Sequence, residues 1–467
     1  MNRWLPLLVL ALVAGCARFE PRPISPAETA ARLEARALDS PELKSFLERH
    51  LHRDLTNWPL SSWDFERLTL AAFYYQPSLE VARAQWAVAQ GGEKTAAQRP
   101  NPTLNVTPGY NSTTATPSPW FPLTMLDLTL ETAGKRHYRV AQSTQLSEAA
   151  RLNILTVAWQ IRSELRVSVL ESMAANKRTS LLEQQISLQE QIVQRLEQQA
   201  QAGALSHSEA VPMRIALAKG QLDLADARRQ SAESRAHMAA ALGVPVRALE
   251  GLKLDFDWLK QTRPPEELTS AEARRAALLG RADVLAALAD YEASQAALQL
   301  EIAKQYPDLH LQPGYQFDQG DHKWSLGATV ELPAFHHNQG PVAEAKARRE
   351  EMAARFLVLQ AKVIAEIDTA ITIYSAAREQ LANQERTTEL AREQAAAVQA
   401  RLQAGAADKL ELAGAQLDAG LADLASLDAQ LKIQQALGQL ETAIQRPNES
   451  WPNLEQSPRA QTKQEHR

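Results

Sequence analysis

Two stretches of this chain leave little choice of fold. Lys135 to Ala202 and Val342 to Ala404 contain neither glycine nor proline, and both are rich in Ala, Leu, Gln, Glu and Arg. These are strong helix formers, whereas glycine and proline are the usual interrupters. At 1.5 Å per residue, each run predicts a rod of roughly 100 Å. No compact globule needs such a helix; the length points to a coiled coil or a helical array. Leu182, Ile186, Val193, Leu196 and Ala200 step by 4, 7, 3 and 4, which is coiled-coil spacing. An ordinary long bundle helix is the alternative.

The two runs belong to a duplication. Shifted by 205 positions, residues 72–110 meet 277–315 without a gap. Ala72, Ala82, Ala84, Gln90, Pro102, Leu104, Pro108, Gly109 and Tyr110 then face Ala277, Ala287, Ala289, Gln295, Pro307, Leu309, Pro313, Gly314 and Tyr315. Gln201-Ala202-Gly203-Ala204 matches Gln403-Ala404-Gly405-Ala406 at an offset of 202. Each unit has one plan: a helix (about 77–98, then 268–304), two short alternating segments, a very long helix, a glycine corner and a returning helix.

The alternating segments carry the second constraint. Leu104, Val106 and Tyr110 alternate with Asn105 and Thr107, and Leu126, Leu128 and Leu130 with Asp127, Thr129 and Glu131. In the second unit, Leu309, Leu311, Tyr315 and Phe317 alternate with His310, Gln312 and Gln316. Trp324, Leu326, Ala328, Val330 and Leu332 alternate with Ser325, Gly327, Thr329 and Glu331. Period two over eight to ten residues reads as a half-buried strand. It also fits a transmembrane β-strand with apolar residues toward lipid and polar ones toward a lumen. Amphipathic hairpins on a soluble domain are the alternative. Four strands cannot enclose a lumen, and an open sheet edge cannot face lipid, so spanning strands require several chains. Three chains supply twelve.

Composition narrows the function classes. Fifty Lys and Arg against 55 Asp and Glu give a net charge of −5, which argues against nucleic-acid binding. A mean hydropathy of −0.34 excludes a helical transporter. The single cysteine excludes an intramolecular disulfide framework and any CxxC motif. That cysteine, Cys16, follows Arg3, an apolar stretch from Trp4 to Val13, and Val13-Ala14-Gly15. This order is a signal peptide ending in a lipobox, with 1–15 removed and Cys16 lipidated. Ala17 rather than Asp in the next position gives no signal for inner-membrane retention. A signal peptide with a chance cysteine is the alternative.

With these residues in view, the chain resembles the TolC-type outer-membrane factors of efflux systems, most strongly their heavy-metal CzcC- and CusC-like branch. The resemblance spans about residues 60–446. Leu130-Glu131-Thr132-Ala133-Gly134-Lys135-Arg136 is similar to the branch's Glu-x-Gly-Gly-Lys-Arg. Leu332-Pro333-Ala334-Phe335-His336-His337-Asn338-Gln339-Gly340 is similar to its Leu-Pro-Leu-Phe-x-Arg-Asn-Gln-Gly. The chain departs at Ala133, where the branch has glycine, and at His337, where it has arginine. Arg99-Pro100-Asn101-Pro102 and Tyr306-Pro307-Asp308 look like the family's proline-bearing strand starts.

The resemblance implies a mainly α chain with a membrane β-barrel portion, assembled as a homotrimeric α/β barrel. Twelve strands would form the outer-membrane barrel and twelve helical segments a periplasmic tunnel. The tunnel would dock on a periplasmic adaptor (membrane fusion) protein coupled to an inner-membrane pump, usually of the resistance-nodulation-division type. The chain would export heavy-metal cations or drugs and catalyse nothing. Gly134, Lys135, Arg136, Pro333, Phe335, Asn338, Gln339 and Gly340 would shape the strand-to-helix junctions. Gly203, Ala204, Leu205, Gly405, Ala406 and Ala407 would be adaptor-contact tips. Glu209 and Glu411, six positions beyond each tip glycine, would ring the periplasmic aperture. Residue by residue, the bland readings stand beside these: a glycine ends a long helix, and a first-turn carboxylate faces the helix dipole.

The remaining expectations follow. His336 and His337, with His310 and His322 in neighbouring strand regions, form no convergent metal site, and no cofactor is expected. Glu131 and Glu331 read as polar lining rather than an acid–base pair. No phosphate loop, HExxH or GxSxG is present. The chain divides into a signal (1–15), a lipidated segment and equatorial region (16–63), and a first repeat (64–250; strands about 103–132, hairpin 133–243). A second repeat follows (251–446; strands about 308–332, hairpin 340–445), then a disordered tail (447–467). The rival reading is a lipid-anchored periplasmic adaptor or coiled-coil scaffold, though adaptors typically carry one helical hairpin per chain.

Overall fold

A computed structural model describes residues 18–112, 118–255, 267, 269–445 and 454–455. The signal segment and Cys16 lie outside the described residues. Helices α1 (Pro26–Glu34), α2 (Pro41–Leu51) and α3 (Phe65–Tyr75) come first. Ser25, Ser40 and Asp64 start them, each side chain accepting a first-turn N–H. Then follow α4 (Pro77–Ala96), β1 (Thr103–Thr107), β2 (Leu123–Leu130) and the 67-residue α5 (Lys135–Gln201). A 3-10 turn at His207–Ala210 leads into the returning α6 (Val211–Leu242). The second unit repeats the order with α7 (Ala271–Gly280), α8 (Ala282–Ala303), β3 (Leu309–Asp318), β4 (Asp321–Val330), the 65-residue α9 (Gln339–Gln403) and α10 (Lys409–Ile444).

The duplication extends to the packing. One apolar core gathers α2, α3, the start of α4, the middle of α5 and the end of α6. A second gathers α7, the start of α8, the middle of α9 and the end of α10. Ile161 and Val363, Leu165 and Ile367, Met238 and Leu440, Leu242 and Ile444, and Leu79 and Val284 are buried at corresponding positions. The same pattern therefore holds both long helices at mid-length, and their ends project beyond the cores.

Two expectations need correction. The helix expected over 268–304 is broken: Arg281 is extended (ψ 138°) between α7 and α8. The break admits its guanidinium to the core, where Nη1 donates to the Ala443 carbonyl at 2.9 Å. The first unit breaks at the matching place, where Gln76 separates α3 from α4. The tail expected to be disordered is not so at its described residues. Leu454 is buried in the first core, its carbonyl accepting from Arg83 Nε at 2.8 Å, and Glu455 pairs with Arg151 at 2.8 Å. The rest of 447–467 lies outside the described residues.

The four strands form one antiparallel sheet in the order β1-β2-β3-β4, so β1 and β4 are its edges. Strand β1 is shorter than the alternation predicts and ends at Thr107. Beyond it, Tyr110 and Trp120 form an isolated bridge. The register places Leu104, Leu126 and Leu128 on one face with Leu311, Leu326 and Ala328. Thr103, Asp127, Thr129, His310, Gln312 and Thr329 share the other. No described helix is long and apolar enough to cross a membrane.

Candidate functional site

Three places carry the functional expectations: the sheet, the junctions beneath it and the distant tips. The ten residues of β3 and of β4 span about 33 Å along the strand, enough when tilted to cross the roughly 25 Å apolar band of a β-barrel. In the single chain the apolar face lies open, with Trp324 80% exposed and Leu326 75%. Aromatic rings mark both ends of the sheet. Tyr315 meets Trp324 and Tyr110 meets Trp120, each at 4.9 Å, near the hairpin turns. Tyr306 and a fully exposed Phe335 stand at the helix-proximal end. Paired aromatic girdles flanking an apolar band characterise transmembrane barrels.

The junction motifs turn out to be fasteners. Gly134 (φ 73°) and Asn338 (φ 57°) occupy the left-handed region immediately before α5 and α9. Glycine enters that region freely, and asparagine is among the few other residues that tolerate it. The sequence resemblance aligned these positions; the backbone supplies the reason for both residue types. Lys135 is buried and binds Asp308 at 2.7 Å, whose carboxylate also accepts from the Thr132 N–H at 2.9 Å. Burial opposes ionisation of Asp308, but the Lys135 and Thr132 hydrogen bonds outweigh it and hold its pKa below the ordinary value. The first junction is thereby tied to the start of β3.

Both junctions also grip the end of the preceding helix. Arg136 and Arg139 donate to the Ala97 and Ala96 carbonyls at 2.8 and 2.9 Å. Asn338 Nδ2 donates to the Glu301 carbonyl at 2.8 Å. Gln339 accepts from the His337 N–H at 2.6 Å. Glu131, expected as polar lining, is instead a partner of Arg139 at 2.6 Å. Pro333 and Phe335 line an exposed hollow with His336 and His337, and Gly340 lies in the first turn of α9. His336 and His337 gather no further ligand, and among the described residues no three His, Cys, Asp or Glu converge.

At the tips, Gly203 (φ 74°) and Gly405 (φ 72°) close α5 and α9 in the same way. The Ala204 N–H reaches the Gln199 carbonyl and the Gly203 N–H that of Ala200, at 2.9 and 3.1 Å. Ala406 and Gly405 repeat this with Arg401 and Leu402 at 2.8 and 3.1 Å. This is the Schellman closure, which calls for a left-handed residue. Ala204, Gly405 and Ala406 are exposed, and Leu205 and Ala407 half-buried. Glu209 and Glu411 both stand at the third position of a returning first turn. Glu209 completes a capping box with Ser206, and the Glu411 N–H donates to Asp408 at 2.7 Å. Their local chemistry is thus the first-turn role, with Glu411 also bound to Arg401 at 2.6 Å.

Residues not singled out in the sequence hold the repeats together. Glu441 on α10 is buried and accepts from Arg162 and Arg166 on α5 at 3.1 and 3.2 Å. The signal for it was an Arg pair at i, i+4 on an apolar helix face; its acid lies more than two hundred residues away.

Comparison with known proteins agrees with this architecture. Residues 72–244 and 273–445 each match the family described as "Outer membrane efflux protein". The cobalt-zinc-cadmium resistance protein CzcC of Cupriavidus metallidurans is 24% identical over 307 residues, covering 64% of this chain and 71% of that protein. Among solved structures, the outer membrane protein VceC of Vibrio cholerae superposes with a TM-score of 0.65 at 19% identity, covering 81% of this chain and 95% of its own. CusC, whose structures concern transmembrane channel formation, gives a TM-score of 0.65 at 18% identity, covering 92% and 99%.

Proposed function

The chain belongs to the outer membrane efflux protein family, a family of channels rather than enzymes, and on that premise we propose that it is the lipid-anchored, trimeric exit duct of a tripartite system exporting heavy-metal cations. The observation that carries the trimer is the sheet. It exposes an apolar face and leaves β1 and β4 as unpaired edges, which cannot face lipid until other copies pair with them. Three copies supply twelve strands, with the polar face lining a lumen and six helical hairpins continuing it into the periplasm.

The lipid is attached at Cys16, the only thiol in the chain. The adaptor docks on the tips around Gly203 and Gly405, whose exposed small residues let another helix approach closely. Glu209 and Glu411 from three chains place six carboxylates near the opening and favour cations. An inner-membrane pump of the resistance-nodulation-division type loads the duct. The metal assignment draws on the similarity to CzcC and CusC. Two helical hairpins per chain speak against the adaptor reading, as does the family.

The purified protein is expected as a heat-labile trimer from the outer-membrane fraction that conducts ions in planar bilayers. Fatty acid should label it at Cys16 and fail to label Cys16→Ser. A soluble, non-conducting monomer refutes the duct. A deletion strain should lose tolerance to Co²⁺, Zn²⁺ or Cd²⁺; unchanged metal tolerance with a changed drug profile refutes the metal assignment.

A further inference from the structure

One continuous chain of hydrogen bonds crosses three strands on the polar face of the sheet. Thr329 Oγ1 on β4 donates to Gln312 Oε1 on β3 at 3.2 Å. Gln312 Nε2 donates to Asp127 Oδ2 on β2 at 3.3 Å. The other oxygen of Asp127 stands 3.0 Å from Nδ1 of His310, and Thr129 Oγ1 lies 3.4 Å from the same nitrogen. An ionised carboxylate only accepts, so it selects the tautomer with the proton on Nδ1 and leaves the lone pair on Nε2. Among the described residues, Nε2 has no hydrogen-bond partner.

Two further facts bear on what such an imidazole does. A carboxylate that receives the Nδ1 proton is the usual outer partner of a metal-binding histidine; it fixes the ring and raises its basicity. Among the described residues, Asp127 forms no ion pair with Lys or Arg; Lys323, on the same face, is bound to Asp318 at 2.7 Å. The local charge is therefore uncompensated and draws cations to the free nitrogen. His310 and Asp127 are part-exposed, 37% and 23% at their side chains, so the site is reachable.

We infer that His310 Nε2, oriented by Asp127, is a weak coordination station for divalent cations of the imidazole-preferring class on the lumen wall of the barrel. The inference rests on the duct reading, which places this face toward the lumen. One protein nitrogen with water completing the shell holds an ion loosely, which suits passage rather than storage. Zn²⁺, Co²⁺, Ni²⁺ and Cu²⁺ accept imidazole, whereas Mg²⁺ takes oxygen ligands and keeps its water.

The test is unitary current through the purified full-length protein in planar bilayers, titrated with ZnCl₂ and separately with MgCl₂. Zinc is expected to reduce the current at concentrations where magnesium does not. His310→Ala should raise the zinc concentration for half effect by about tenfold or more, and Asp127→Asn by roughly tenfold, the cost typical of losing an outer carboxylate. His310→Gln replaces the alanine variant if that one yields no channels. Equal zinc response in wild type and His310 variants, or equal potency of magnesium, overturns the inference. No unitary conductance from the wild-type protein is a different result: it overturns the duct reading, and the inference with it.

Discussion

Gln76 and Arg281 stand at the same point of the two repeats and reach the same target. Gln76 Nε2 donates to the Ala240 and Ala241 carbonyls at the end of α6, both at 2.7 Å. Arg281 Nη1 donates to the Ala443 carbonyl at the end of α10. The last carbonyls of a helix lack partners within it, and each repeat supplies one from the break before its upper helix. Arg281 is additionally held by Asp283 and Glu366, at 2.7 and 2.9 Å.

That difference predicts unequal costs. Arg281→Ala leaves a buried carbonyl unpaired and Asp283 without a cation, while Glu366 keeps Lys362 at 3.7 Å; since both acids are partly exposed, the loss is expected at about 2 kcal/mol, below the range for fully buried pairs. Gln76→Ala removes two neutral hydrogen bonds and should cost about 1–2 kcal/mol. Denaturant unfolding of the detergent-solubilised protein measures both. Equal or reversed costs would show that the extra acids on Arg281 contribute nothing.

Glu441 is the anchor between the repeats. Glu441→Ala leaves Arg162 and Arg166 charged and buried, at an expected cost of about 3–5 kcal/mol. Both guanidiniums also lie over the Phe65 ring, at 5.0 and 5.9 Å, so apolar replacement of all three charges should recover most of the loss. A triple variant Glu441→Leu, Arg162→Met, Arg166→Met that unfolds as readily as Glu441→Ala would refute this account. The comparison separates a desolvated charge from a packing role.

What could be read in advance follows from the range of each interaction. Helix-forming runs, the glycine closures at Gly203 and Gly405 and the two-residue alternation of the strands are local. They were legible apart from the early end of β1 at Thr107 and the break at Arg281 inside the helix expected over 268–304. The duplication was legible wherever residues are identical, and invisible where Gln76 and Arg281 perform one task with different chemistry. The bonds Lys135–Asp308 and Glu441–Arg162 join residues far apart in the chain, and nothing in either neighbourhood announces the partner. Leu454 escaped for a similar reason: one leucine among polar residues and prolines has no periodicity, and only the core it enters explains it.

The left-handed junctions predict an asymmetric substitution pattern. Asn338→Gly should be tolerated at the backbone but lose the bond to Glu301, for a net cost of about 1 kcal/mol. Gly134→Val should cost about 1–2 kcal/mol through left-handed strain. A Cβ at Gly134 would come no nearer than 3.6 Å, to the Tyr138 ring, so the added β carbon itself meets no clash. Thermal dissociation of the trimer reads the effect, and an unchanged midpoint for Gly134→Val contradicts it.

His50 predicts an acid-sensitive first core. Burial lowers its pKa from the ordinary 6.5; the hydrogen bond to the Phe46 carbonyl opposes this, while Arg49, His52 and Arg83 add to it. The unfolded chain then binds the proton more readily than the folded one, so stability rises with pH across that window. The contribution is fully present above about pH 6.5 and is lost as pH falls toward the depressed folded value. Melting midpoints of the wild type should drop between pH 7.5 and 5, and those of His50→Gln should drop less. Parallel curves would remove His50 as a source of the pH dependence.

The two tip acids separate local structure from conduction. Glu209 Oε1 accepts from its own cap's N–H at Ser206, at 3.4 Å, so Glu209→Ala should cost roughly 0.5–1 kcal/mol through the capping box. Glu411 is instead held by Arg401, which also donates to the Ala406 carbonyl at 3.1 Å. That pair is exposed, and such pairs contribute about 0–1 kcal/mol, screened by salt. Arg401→Ala should therefore leave the melting midpoint nearly unchanged while freeing three carboxylates at the aperture. Bilayer recordings should then show higher cation selectivity at low salt, diminishing as ionic strength shortens the screening length. Glu411→Gln should shift selectivity the opposite way. If neither substitution changes selectivity, the acids serve only their helices and the aperture is lined by other residues.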